Sequence, residues 1–149
     1  MLSPEIPAII SQLILLPSLI YGAWYDFQSR KFPAKLWSAT APIGLFFTIV
    51  MYLLLIASAQ WTLIMALLFV SAILSVTFYI LAVRFGSGGD YRALWTIAII
   101  CPTIAITTTI LALVFGVVQV VIMVFTKKSA PWAVSILAAF IIAMLLQLR

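Results

Sequence analysis

Residues 36–83 read LWSATAPIGLFFTIVMYLLLIASAQWTLIMALLFVSAILSVTFYILAV, 48 positions without a single Asp, Glu, Lys or Arg. A water-soluble domain carries roughly 25% charged residues, so a block of this length with none has nothing with which to solvate a surface in water. Crossing a hydrocarbon core of about 30 Å takes roughly 20 apolar residues as a helix. The block is therefore too long for one crossing and long enough for two. Ser58-Ala59-Gln60, a polar break near its middle, divides it into expected spans over 36–57 and 61–83.

The same spacing of charges organises the rest of the chain. Ile6–Tyr25 is uncharged and makes one span. The uncharged residues 93–126 would measure about 50 Å as one helix and are expected to fold as two short spans, bent between Pro102 and Thr109. Residues 130–148 supply the last span. Over all 149 residues, 66% are hydrophobic and 7% charged, with a mean hydropathy of +1.32. The expectation is an all-α, polytopic membrane protein with about six transmembrane helices, forming one domain over residues 1–149 without internal repeats. The amino-terminal Met-Leu-Ser-Pro-Glu lacks the basic segment of a secretory signal, so the first apolar run is expected to persist as a helix. Pro17, Pro42 and Pro102 lie inside apolar blocks and predict kinks whose freed carbonyls need partners on neighbouring helices. Trp24, Tyr25, Trp37, Trp61, Tyr91, Trp95 and Trp132 gather near span ends, as an interfacial aromatic belt does.

Positive charge near span ends marks the cytoplasmic side. Arg30, Lys31 and Lys35 follow the first span, Arg84 and Arg92 the third, and Lys127 and Lys128 the fifth. Six spans place these seven cations together, with both termini outside. The expected location is the cell membrane, with the basic connections facing the cytoplasm.

Eight Lys and Arg against three Asp and Glu leave a net charge of +5. So few charges, explained by loop placement, do not describe a nucleic-acid-binding surface. Cys101 is the sole cysteine and there is no histidine, which excludes disulfides, thiolate metal sites and the Ser-His and Cys-His forms of nucleophilic catalysis. No metal or cofactor is expected. Chemistry is left to carboxylates, hydroxyls and a few cations.

The inferred sidedness puts Asp26 and Asp90 at the same membrane face. Asp26 ends the first span, where a negative charge opposes the helix macrodipole at a cost of about 0.3–1 kcal/mol, so helix stability does not account for it. Pairing with Arg30 one turn later is the structural alternative. Asp90 follows Gly88-Gly89 and precedes an apolar run, the position of an N-cap, although the glycines also admit a close-lying backbone. Acids at a membrane edge are expensive and are functional when they face a bundle interior. Two carboxylates held close share a proton, one serving as base toward water and the other as acid toward a carbonyl.

Asp26-Phe27-Gln28-Ser29-Arg30-Lys31-Phe32-Pro33 resembles the D-x-x-x-R-x-I-P segment of type IV prepilin peptidases and archaeal preflagellin peptidases. Gly88-Gly89-Asp90-Tyr91-Arg92-Ala93-Leu94 resembles their G-x-G-D-x-K-x-L segment. Order, spacing and placement after the first and third spans also agree, and Lys127-Lys128-Ser129-Ala130-Pro131-Trp132-Ala133 is similar to the basic stretch and proline that lead into the family's last helix. The resemblance implies an aspartyl endopeptidase that removes basic leaders from pilin-like or flagellin-like precursors at the cytoplasmic face. It implies Asp26 and Asp90 as the catalytic pair, with Gly88, Gly89, Arg30, Pro33 and Arg92 shaping loops or binding substrate. Arg92 stands where the family has Lys, Ser87 at the first glycine position, and Ala34 where an Asn is usual. The cysteine-bearing domain of many bacterial members is absent, as in the short forms.

Two other classes fit the composition. A proton-coupled transporter would need acids near mid-membrane and a polar path to both faces, for which Thr107-Thr108-Thr109 is the polar run of note; threonines in a span more often serve packing or bond their own backbone. A non-catalytic scaffold of the same fold could retain both acids.

Overall fold

The computed structural model describes residues 3–29, 36–85, 89–126 and 132–149. Among these the chain forms six helices: α1 (Glu5–Ser29), α2 (Leu36–Ala57), α3 (Trp61–Phe85), α4 (Gly89–Ile100), α5 (Pro102–Thr126) and α6 (Trp132–Gln147). Helices satisfy every interior backbone group within the segment, which an apolar surround demands. Four of them, α1, α2, α3 and α5, are long and apolar enough to cross a membrane, and α6 is a shorter apolar helix of 16 residues.

The polar break between α2 and α3 is a helix stop in atomic detail. Ala59 adopts a left-handed φ of 55°, the Ala59 amide donates to the carbonyl of Ile56, and the Gln60 amide donates to that of Leu55, both at 3.0 Å. This is the Schellman arrangement, with alanine where glycine is usual.

Residues 93–126 divide in two, but not into the two short spans expected. The helix breaks at Cys101, just ahead of the expected 102–109 window, and its parts are unequal: α4 has 12 residues and α5 has 25. Pro102 is the cause, since a proline disfavours helical geometry in the residue before it and is well placed as the first residue of a new helix. At about 18 Å, α4 is too short to cross a bilayer.

A helix that ends inside a bundle exposes carbonyls that need donors. Pro102 has no N–H to offer Ala98, and the Ser71 hydroxyl of α3 donates to the Ala98 carbonyl instead, at 2.7 Å. The Thr48 hydroxyl of α2 donates to the Ile100 carbonyl at 2.5 Å. Gly44, one turn before Thr48, makes that reach feasible: a Cβ there would come within 2.6 Å of Ile100 Cγ2, so only glycine lets α2 lie this close. Ser71→Ala is expected to destabilise the protein by about 0.5–2 kcal/mol, read as thermal unfolding in detergent. Ser75→Ala on the same helix removes a buried hydroxyl that has no hydrogen-bond partner among the described residues, and is expected to be neutral or mildly stabilising. Equal losses in the two variants would remove the capping role.

Pairwise contacts set the helix directions. Gln12 Nε2 donates to Gln147 Oε1 at 2.6 Å, and the Ala133 amide donates to Asp26 Oδ2 at 3.3 Å, so α1 and α6 run antiparallel. Gln12 also donates to Thr103 Oγ1, while Gly116 lies against Trp132, so α5 is antiparallel to α6 and runs toward the Asp26 end. α4 runs the other way, its carboxyl end at Cys101 lying against Ser11 of α1. Thus α4 and α5 form a helical hairpin that enters and leaves at one end.

The main core joins α1, α4, α5 and α6 through Leu15, Leu19, Ile97, Ile104, Ile136 and Phe140. A smaller cluster of Ala8, Met51, Leu55 and Ile64 lies where α2 turns into α3. Beyond Gly116, residues 117–126 of α5 run past the start of α6; Val117, Val124 and Phe125 are 65%, 72% and 83% exposed.

Candidate functional site

The buried positions of α1 run Pro7, Ala8, Ser11, Gln12, Leu15, Ser18, Leu19, Gly22, Ala23 and Asp26, the three- and four-residue rhythm of one helical face. Asp26 is therefore the last member of the core-facing stripe, and only 8% of it is exposed. The opposite face carries the exposed Tyr21, Trp24 and Phe27, and Tyr21 packs on Trp24 and Tyr25 with ring centroids 5.9 and 6.2 Å apart. An apolar, aromatic outer face thus backs a carboxyl turned inward.

Asp26 lies in the last turn of α1, where its charge opposes that helix's dipole. Its carboxylate accepts the amide hydrogen of Ala133 in the first turn of α6, an end at which negative charge is favourable. The carboxyl that is misplaced for its own helix is well placed for another. The alternative partner Arg30 lies outside the described residues.

Gly89 and Asp90 open α4. Asp90 therefore belongs to the first helical turn, not to a cap ahead of it, and its side chain lies outside what the structure describes, as do Pro33 and Gly88. Ser18 Oγ donates to Thr40 at 2.9 Å, while Ala41 and Pro42 face Trp95 and Thr96 across a groove. From Cys101 at the Ser11 level, α4 thus passes Trp95 near the Ser18 level and points its amino end toward the end of the bundle that holds Asp26.

Among the described residues, two clefts flank α4 and share Trp95 as a wall, one toward the Asp26 end and the other running from Trp95 toward the carboxyl end of α4. One, of about 280 Å³, is lined by Phe78, Tyr79, Val83, Arg92 and Trp95. The other, of about 340 Å³, lies between α2 and α4 and is lined mostly by apolar side chains, with Pro42 and Ile99 on opposite walls. Arg92 is exposed and, among the described residues, is the one cation on either lining. No cluster of potential metal ligands occurs among the described residues.

The polar run on α5 behaves as threonines in apolar helices do. Thr109 bonds back to the Ala105 carbonyl, and Thr108 is fully buried without a hydrogen-bond partner among the described residues.

Two contributors escape a sequence-only view: the Ala133 amide, a backbone group carrying no residue signature, and Gly116, which reports a close approach without saying what approaches. Compared with known protein families, curated proteins and solved structures, the chain matches none of them.

Proposed function

We propose that this chain is a membrane aspartyl endopeptidase that cleaves basic leaders from pilin-like or flagellin-like precursors, with Asp26 and Asp90 as the acid–base pair. The observation that carries the reading is Asp26: a carboxyl ends the inward stripe of α1 at the end of the bundle toward which α4 directs its Asp90 turn. A positioned carboxyl pair can deprotonate a water while protonating the scissile carbonyl. The precursor's apolar segment would lie along the bundle, with its leader in the cytosol.

In this reading α1, α2, α3 and α6 cross the membrane, while α4 and α5 form a hairpin that enters and returns on one side, its bend at Cys101 lying near the level of Gln12 and Gln147. Because α4 and α5 form a hairpin, the carboxyl ends of α1, α3 and α5 and the residues Arg84 and Arg92 fall on one side, which the positive-inside rule makes cytoplasmic. Among the described residues, buried Ser11, Gln12 and Ser18 share the α1 stripe with Asp26, which favours proton transport as a second reading. Leu15, Leu19 and Ala23, at most 3% exposed, interrupt that series.

The test is co-expression of a precursor with wild type and with Asp90→Asn. Processing by the wild type and its loss in the variant, by about 100- to 10,000-fold, is the expected result. Full processing by Asp90→Asn would end the peptidase reading.

A further inference from the structure

Glycine inside a helix costs about 0.5–1 kcal/mol relative to alanine, so Gly116 in the middle of α5 needs a reason. It is buried, and the Trp132 ring occupies the space where its side chain would be: a Cβ would come within 2.6 Å of Trp132 Cη2 and would overlap Cζ3 as well. Carbon atoms settle at about 3.5–4.0 Å, so even a methyl group forces the ring outward. Trp132 is the first residue of α6 and Ala133, whose amide hydrogen Asp26 accepts, is the second. That hydrogen bond, at 3.3 Å, is already just beyond the usual range of about 2.7–3.2 Å, leaving little slack for any movement of the helix end.

We infer that Gly116 and Trp132 are positioning residues: the seating of the indole on the bare α5 backbone fixes the amino end of α6 and thereby the carboxyl of Asp26. The inference rests on the peptidase reading for what Asp26 does, and on geometry alone for how Asp26 is held. Neither residue touches the reacting atoms.

The experiment compares wild type with Gly116→Ala, Trp132→Phe and the double variant, as full chains in detergent with matched helix content and elution volume. Kinetics use a precursor peptide. Carboxyl access at Asp26 is read by mass spectrometry after labelling with a hydrophobic carbodiimide. Misplacing a catalytic group by about 1 Å costs up to about 100-fold, so Gly116→Ala is expected to lower kcat about tenfold or more, with KM within about twofold, and to raise labelling. The smaller ring of Trp132→Phe should leave room for the methyl group that Gly116→Ala adds, bringing the double variant back toward wild type in both readouts. Should Gly116→Ala fail to fold, Trp132→Phe alone probes the same seat and is expected to raise labelling. Unchanged kcat and labelling in Gly116→Ala, or no recovery in the double variant, would overturn the proposal. A wild type that cleaves nothing while labelling follows the expected pattern leaves the positioning intact and removes the peptidase reading.

Discussion

Asp26→Asn is expected to reduce precursor cleavage by about 100- to 10,000-fold while leaving thermal unfolding in detergent close to wild type. The reason lies in the two roles of one side chain. Toward α6, Asp26 acts as an acceptor for the Ala133 amide, and an asparagine oxygen of the same shape also accepts that hydrogen. Toward substrate, the proposed role needs a group that gains and loses a proton, which asparagine does not do. Asp26→Leu separates the roles further: it strands the buried Ala133 amide and is expected to destabilise by about 1–3 kcal/mol in addition to abolishing cleavage. If Asn lowered stability as much as Leu, charge at the amino end of α6 would be the dominant role of Asp26. If Asn processed precursor normally, the acid–base assignment would fall.

Phe140→Ala carries the largest expected loss of stability. Phe140 is 0% exposed and belongs to the cluster through which α6 meets α1, α4 and α5. Emptying a site filled by a buried phenylalanine costs about 3–5 kcal/mol, and α6 has only 16 residues with which to hold its place. Because α6 presents Ala133 to Asp26, cleavage is expected to fall along with stability. Phe69→Ala is the matched control: Phe69 is 67% exposed on α3 and its loss should stay within about 0.5 kcal/mol. Similar unfolding temperatures for the two variants would show that α6 is held by something other than this core.

Much of the helical framework was legible in residue order. The uncharged block 36–83 and its Ser58–Gln60 break reproduce the bounds of α2 and the start of α3, because lipid-compatible helices need long uncharged runs and little else. The division of 93–126 was not legible in the same way. Hydropathy measures how much chain is apolar, not how deep each part goes, and the local veto of Pro102 on Cys101 decided the break. The hydroxyls that make the break tolerable, Ser71 and Thr48, sit on other helices, and no local pattern links them to Pro102. Asp26 could be placed on the buried face by counting from Leu15 and Leu19. Its partner at Ala133 lies 107 positions away and depends on how α1 and α6 pack.

The lengths of α5 and α6 bear on the bilayer itself. Packed side by side, they measure about 37 Å and about 24 Å at 1.5 Å per residue, on either side of a typical hydrocarbon thickness of about 30 Å. In the proposed membrane arrangement, lipid meeting α6 would thin to match it, at a fraction of a kcal/mol per Å, while residues 117–126 of α5 run on past the start of α6. The annulus would then be uneven, and a dimple on the α6 flank would draw the headgroup layer toward the end of the bundle that holds Asp26.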